Sequence, residues 1–302
     1  DRMSKAETGR LCVGVDLHKT QFTICALNED GEYLLEKQYP TKEEGYSEFA
    51  REMHRFEEQG CSIELAVETT GNARFFKNRM ESEFFAVKVV NTNRFKVITM
   101  STKKTDANDA ATLAYYLMKD MLPEAHLCSQ TSEEIRRLLK TRSVLVQSMV
   151  KIKNQIHGMM LGYGIETKAA QLQSKRKRQE LINDLEDHNF SAYTAPSLKV
   201  MLKILDDLSA EIKGIEKLLE EMVASNEDVA LLMTVPGIGI NTATVIAAYT
   251  AELERFEGNY KKFASYVGII PSVHNSNETT HYGRITKHGP QELRTAFVQA
   301  AL

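Results

Sequence analysis

The 302 residues suffice for two domains, and a hydrophobic fraction of 42% with 26% charged residues marks a globular chain, not a disordered one. No apolar run approaches the roughly 20 residues that span a bilayer, the polar stretch 1–10 reads as a frayed start without a signal peptide, and Cys12, Cys25, Cys61 and Cys128 form no CxxC pair. The cysteines therefore read as reduced thiols of a cytosolic protein, neither a zinc site nor a disulfide framework. The net charge of −3 is no signal for a polyanionic partner until its distribution is considered.

The first third has α/β character. Leu11 to Leu17 is an apolar strand, Thr20 to Leu27 alternates, Asn28-Glu29-Asp30-Gly31 is a turn, and Glu32 to Tyr39 returns as the third strand of a meander. Lys42 to Glu58 places Tyr46, Phe49, Met53 and Phe56 at helical spacing. A strand over Ser62 to Glu68, a helix over Asn72 to Phe84 capped by Asn72, a strand over Phe85 to Val90, and a helix from near Asp106 to about Met118 follow.

The middle third changes period. Ile135, Leu138, Arg142, Leu145, Met149, Ile152, Ile156 and Met159 step by three and four, as do Met201, Leu205, Leu208, Ile212, Ile215, Leu219 and Met222. These heptads suit a dimerising coiled-coil arm or a bundle that buries its own stripes. Between Arg136 and Arg178 the cations are Arg136, Arg137, Lys140, Arg142, Lys151, Lys153, Lys168, Lys175, Arg176, Lys177 and Arg178, opposed only by Glu166. A polyanion feels such a local cluster, because salt screens charges beyond about 8 Å. From about Asn226 a small, mainly helical domain begins. Leu232 to Thr244 reads as helix, tight hairpin, helix, in which Gly237 and Gly239 could turn backbone N–H groups toward a phosphate; a plain turn explains the same residues. The expected domains are thus 1–125, 126–225 and 226–302.

Four acids carry the chemical signal. Asp16 and Glu68 stand at the ends of apolar strands, where a carboxylate is costly without a partner. Asp106 and Asp109 are three residues apart at a helix start and share a face. A first-turn acid pair is also ordinary helix-dipole decoration, and alone it reads as a cap. The order is more telling: an acid on the first strand of a meander, an acid on the fourth strand, then a helix with an acid pair is the order of ribonuclease-H-like nucleases. Actin-like kinases share the opening, but they need a glycine after the first acid, and here Leu17-His18-Lys19-Thr20 follows Asp16. His18 suits either a supporting place behind the metal ligands or a plain polar strand end, and the second is the simpler reading.

Val13-Gly14-Val15-Asp16-Leu17-His18-Lys19, Val67-Glu68-Thr69-Thr70-Gly71-Asn72 and Lys104-Thr105-Asp106-Ala107-Asn108-Asp109-Ala110 resemble the motifs of the DEDD transposases of bacterial insertion sequences, the bridge-RNA-guided recombinases related to Piv-type invertases. Phe263 to Ser276 and Tyr282 to Pro290 are similar to the second domain of that family, so the resemblance runs from about Leu11 to Leu302.

The resemblance implies a RuvC-like, ribonuclease-H-like domain in which Asp16, Glu68, Asp106 and Asp109 hold two Mg²⁺ ions. It implies a nucleophilic serine, which maps best onto Ser276, where Asn277 follows in place of the family's usual glycine; Ser272 is a weaker candidate. It further implies a 5′-phosphoserine intermediate, donor and target DNA, a structured guide RNA, a homodimer or homotetramer, no membrane, and action on the bacterial nucleoid. Arg136, Arg137, Lys140, Lys151, Lys153, Lys175, Arg176, Lys177, Arg178, Gly237, Gly239, Arg284 and Lys287 are the expected nucleic-acid contacts. Arg284 and Lys287 suit a solvated loop equally well. Separate domains for acids and serine point to action in trans, and family members usually continue past the position of Leu302. The rival readings are a water-using nuclease or junction resolvase, and a non-catalytic nucleic-acid-binding assembly protein.

Overall fold

The structure, a computed structural model, describes residues 9–92, 95, 105–184, 190–276 and 279–301; the side chains of 184, 274–276, 279 and 280 are not among those described. The expected fraying of 1–8, and Lys104, Asn277 and Leu302, lie outside the described residues. The chain divides into two compact units, 1–127 and 128–302. The break expected near 225 is not a unit boundary: Ile135, Leu139, Leu219 and Val223 share one apolar cluster with Val229, Ala243 and Ala247.

In the first unit, β1 (Arg10–Leu17), β2 (Gln21–Leu27), β3 (Tyr33–Pro40), β4 (Ser62–Glu68) and β5 (Ala86–Val90) form one mixed sheet in the order β3-β2-β1-β4-β5. The three-strand meander is antiparallel, and β4 and β5 continue it in parallel. Side chains alternate across a strand, so β1 serves two cores. Leu11, Val13, Val15 and Leu17 face α1 (Glu43–Glu58) and α2 (Ala73–Glu81), whose Phe49, Met53, Phe76 and Met80 are fully buried. Phe22 anchors this side, stacked on Tyr39 and Tyr46 and edge-on to Phe49 and Phe76. Cys12 lies on the other face, in a cluster with Leu113 and Leu117 of α3 (Asp106–Met118). This is the ribonuclease-H-like arrangement expected from the order of the acids.

Gly14 sets how closely α3 can lie on that face. A Cβ there would stand 2.0 Å from the Ala110 carbonyl oxygen and 2.4 Å from the Ala114 nitrogen, so no side chain fits. The α2 expectation was too long. After Glu81 the chain turns through Phe84 at φ 69°, with the Phe85 N–H returning to the Met80 carbonyl, which closes the helix end. Asn72 makes no side-chain cap bond; its amide serves the site described below.

In the second unit, α4 (Gln130–Leu161) and α6 (Thr194–Val223) run antiparallel. Ile135 and Leu139 meet Leu219 and Val223 at one end, and Ile156 and Met160 meet Leu198 and Leu202 at the other. The two ends of the heptad stripes therefore pack on each other within the chain. Arg142, the cation on the seam, donates through Nε and Nη2 to Glu216 at 2.9 and 2.7 Å. α5 (Lys175–Asp184) packs beside this pair. α7 (Glu227–Met233) and α8 (Ile240–Thr250) flank the Gly237–Gly239 turn, giving the expected helix, hairpin, helix. α9 (Tyr260–Val267) and α10 (Gln291–Ala301) complete the helices. Between them β6 (Pro271–Ser276) and β7 (Thr279–Ile285) form a two-stranded antiparallel hairpin where a loop was expected. Among the described residues no helix is long and apolar enough to cross a membrane.

Candidate active site

Asp16 follows Gly14 on the α3 face of β1. Because Ala110 rests on Gly14, Asp106, one helical turn earlier on α3, comes over Asp16. The helix start is fixed by Thr105, whose hydroxyl accepts from the Asn108 N–H. The N-terminal cap is thus supplied by a neutral side chain and not by either first-turn acid.

Asp16, His18 and Asp106 offer one ligand atom each, all within 4.8 Å of one another. His18 Nε2 lies 3.0 Å from Asp16 Oδ2 and 3.5 Å from Asp106 Oδ1. The His18 carbonyl is held from two sides, by the Thr41 hydroxyl at 3.1 Å and the Asn72 amide at 3.3 Å. Asp16 is only 9% exposed. Burial pushes its carboxyl up, as do the charges of Asp106 and Asp109, while His18 pulls it down. Asp109 is therefore close enough to act on Asp16, though its carboxylate does not join the compact group. Glu68 is placed by register. Val15 pairs with Val67, so Glu68 ends the neighbouring strand beside Asp16, on the same face of the sheet. Its carboxylate also stands outside the compact group.

The donors suit a cation. A carboxylate such as Asp16, whose ionisation is disfavoured by burial and by neighbouring acids, gains from a nearby positive charge, and carboxylate oxygens are the ligands hard divalent ions take. Asp16, His18 and Asp106 could thus hold a metal ion. His18 is the residue the sequence reading undervalued: it stands one place past the end of β1, yet keeps the period-two spacing from Asp16.

Comparison with known proteins accords with this geometry. A DEDD transposase family of the IS110 type matches residues 13–165, spanning all four acids, and the Transposase IS116/IS110/IS902 family matches residues 229–302. The chain belongs to the IS110/IS116/IS902 family of transposases. It is 25% identical over 293 residues to the transposase for insertion sequence element IS1328 of Yersinia enterocolitica, covering 96% of this chain and 82% of that protein. Against the transposase for IS1111A of Coxiella burnetii the identity is 23%, over 96% of this chain and 76% of that one. The protein is therefore an enzyme that acts on DNA.

In the second unit of the transposase the expected nucleic-acid contacts separate. Lys140, Lys151, Lys175 and Arg176 are exposed, as are Arg284 and Lys287; Lys153 and Lys177 are half-buried. Arg137 is exposed beside Glu133 on its own helix. Arg136 is turned inward, donating to the Ala248 carbonyl at 2.9 Å with its guanidinium 4.3 Å from the Tyr249 ring centroid. Arg178 requires correction. It is 2% exposed and donates to Asp206 and to the Leu172 carbonyl, so it holds α5 against the helical pair and has no surface to offer nucleic acid. Its three-residue spacing from buried Leu181 was the available signal for an inward position. Gly237, at φ 87°, and Gly239, the residue before α8, are both exposed. Ser276 ends β6, paired with Thr279. Ser272 faces across the hairpin, where a Cβ on Gly283 would stand 2.3 Å from its hydroxyl oxygen.

Proposed function

We propose that this transposase exchanges DNA strands through a covalent phosphoserine formed on Ser276, at a two-Mg²⁺ site built from Asp16, Asp106, Asp109 and Glu68, under the guidance of a structured RNA and as a homo-oligomer. The observation that supports it most is the meeting of Asp16 and Asp106, from β1 and α3, around His18. The resemblance to the bridge-RNA-guided recombinases adds the serine, the RNA and the oligomer.

Divalent ions held by these acids would polarise the scissile phosphate and stabilise the departing oxygen. The residues themselves do the rest. The acids gather the charge that draws in the metal, and the doubly held His18 carbonyl keeps the end of β1 in place. The Ser276 hydroxyl gives up its proton as its oxygen bonds to phosphorus. The bond from phosphorus to the 3′ oxygen breaks, and that oxygen takes up a proton. One phosphate ester replaces another, so the linked strand can later be rejoined without an external energy source. Exposed Lys140, Lys151, Lys175, Arg176, Arg284 and Lys287, with half-buried Lys153 and Lys177, contact phosphates, and their contribution falls steeply with salt.

The test is to trap a protein–DNA adduct with guide RNA and Mg²⁺ and map the linked residue. Ser276 is expected, with no adduct from Ser276→Ala or Asp16→Asn. DNA cleavage that survives Ser276→Ala would replace the covalent route with hydrolysis by water.

A further inference from the structure

We propose that Phe75 is a stacking platform for a nucleobase of the DNA strand cleaved at the acidic site, next to the scissile phosphate. This rests on reading Asp16, His18 and Asp106 as the reaction centre. α2 carries two adjacent phenylalanines with opposite fates: Phe76 is fully buried under the sheet, whereas Phe75 is 55% exposed. Asn72 reaches back to the His18 carbonyl at 3.3 Å. Asn72 is the residue immediately before α2, and Phe75 lies in the first turn of that helix, so Phe75 stands about 5 Å along the chain axis from the residue that touches the site's own loop. Its ring rests edge-on against buried Tyr46, centroids 5.5 Å apart, which fixes one side and leaves the other open.

The surroundings suit a nucleic-acid strand. Lys19 follows His18, and Lys42 follows Thr41, the other residue that holds the His18 carbonyl; both lysines are exposed. Neither makes an ion pair among the described residues. An open aromatic face flanked by cations, beside a site that handles phosphate, is the arrangement by which proteins hold single strands: cations follow the backbone, and the ring accepts any base. Stacking at this position would hold the adjacent nucleotide unpaired and orient the phosphate toward Asp16.

The test uses the full chain and a single-stranded DNA oligonucleotide carrying 5-iododeoxyuridine, irradiated and mapped by peptide mass spectrometry. A crosslink at Phe75 is expected on the unaltered protein, which requires no variant to fold. Phe75→Leu, which keeps an apolar group on Tyr46, should abolish it and weaken binding about 5- to 140-fold, the range for losing one stacked base. Phe75→Trp should restore both. Wild-type affinity in Phe75→Leu, crosslinks confined to other residues, or a Phe75 crosslink with an RNA strand and none with DNA would overturn the proposal. Asp16→Asn separates the two readings. A persisting Phe75 crosslink together with persisting cleavage in that variant sinks the acidic site as reaction centre and leaves the platform standing.

Discussion

Single residues in this transposase mix chemical and structural duties in ways that charge alone does not reveal. Arg178 ends a Lys-Arg-Lys-Arg run, yet it is an interior ion pair with Asp206. Arg178→Ala removes charge-assisted hydrogen bonds to Asp206, which is itself partly exposed, so it should lower unfolding free energy by about 1.5–3 kcal/mol. Lys175→Ala, at an exposed position, should change it by about 0.5 kcal/mol or less. Chemical denaturation of both variants checks this. Arg10 is the corresponding organiser of the first unit. It pairs with Glu64 at 2.8 Å and with Asp120 at 2.7 Å, and holds both carboxyls below their ordinary range. A depressed folded-state value means stability that is fully present above the unfolded value of about 4.3 for Glu and is lost as pH falls through the folded one. Arg10→Met should therefore lower stability at neutral pH and flatten the acid limb of the stability curve, measured by melts across the acid range.

At the scale of elements, the site depends on how closely one helix lies on one strand. The Cβ of Gly14→Ala would meet backbone atoms of α3, which have no rotamer to change. The helix must lift or slide, at a cost of about 1–3 kcal/mol or more for overpacking. Asp106 moves with it, so Mn²⁺ affinity should fall further than the melting temperature suggests; calorimetric titration of the folded variant reads this. Much of the arrangement was legible beforehand. β1, β2, β4, α1 and α3 are apolar on buried faces, and burial dictates their periods. The acids stood out because a carboxylate at the end of such a strand needs a partner. His18 was less legible: beyond the last apolar residue, a polar side chain looks solvated until α3 is known to descend on it. The β6–β7 hairpin was hidden for a different reason. Ser272, His274, Asn275, Thr280 and His281 give no apolar alternation, and Val273 and Tyr282, paired across the hairpin, are both exposed. A ribbon whose described apolar side chains, Val273, Tyr282 and Ile285, stay exposed writes no period-two signal into the sequence.

For the whole molecule, the decisive fact is that the acids and Ser276 belong to different compact units, 1–127 and 128–302. The proposed attack thus requires one unit to deliver a hydroxyl to another, and the partner unit can come from the same chain or a second one. Mixing two inactive variants, Asp16→Asn and Ser276→Ala, distinguishes these routes. If serine and acids act within one chain, every site in a mixed assembly carries one lesion, and no adduct forms. If they act between chains, a mixed dimer has one site with both lesions and one with neither, and the intact site forms the adduct. The trans reading predicts the second outcome: adduct recovered on mixing, linked to the Asp16→Asn chain, which retains its serine. Mass analysis of the linked chain reads this directly. An adduct-free mixture, from variants that each fold and bind DNA, would place serine and acids on the same chain.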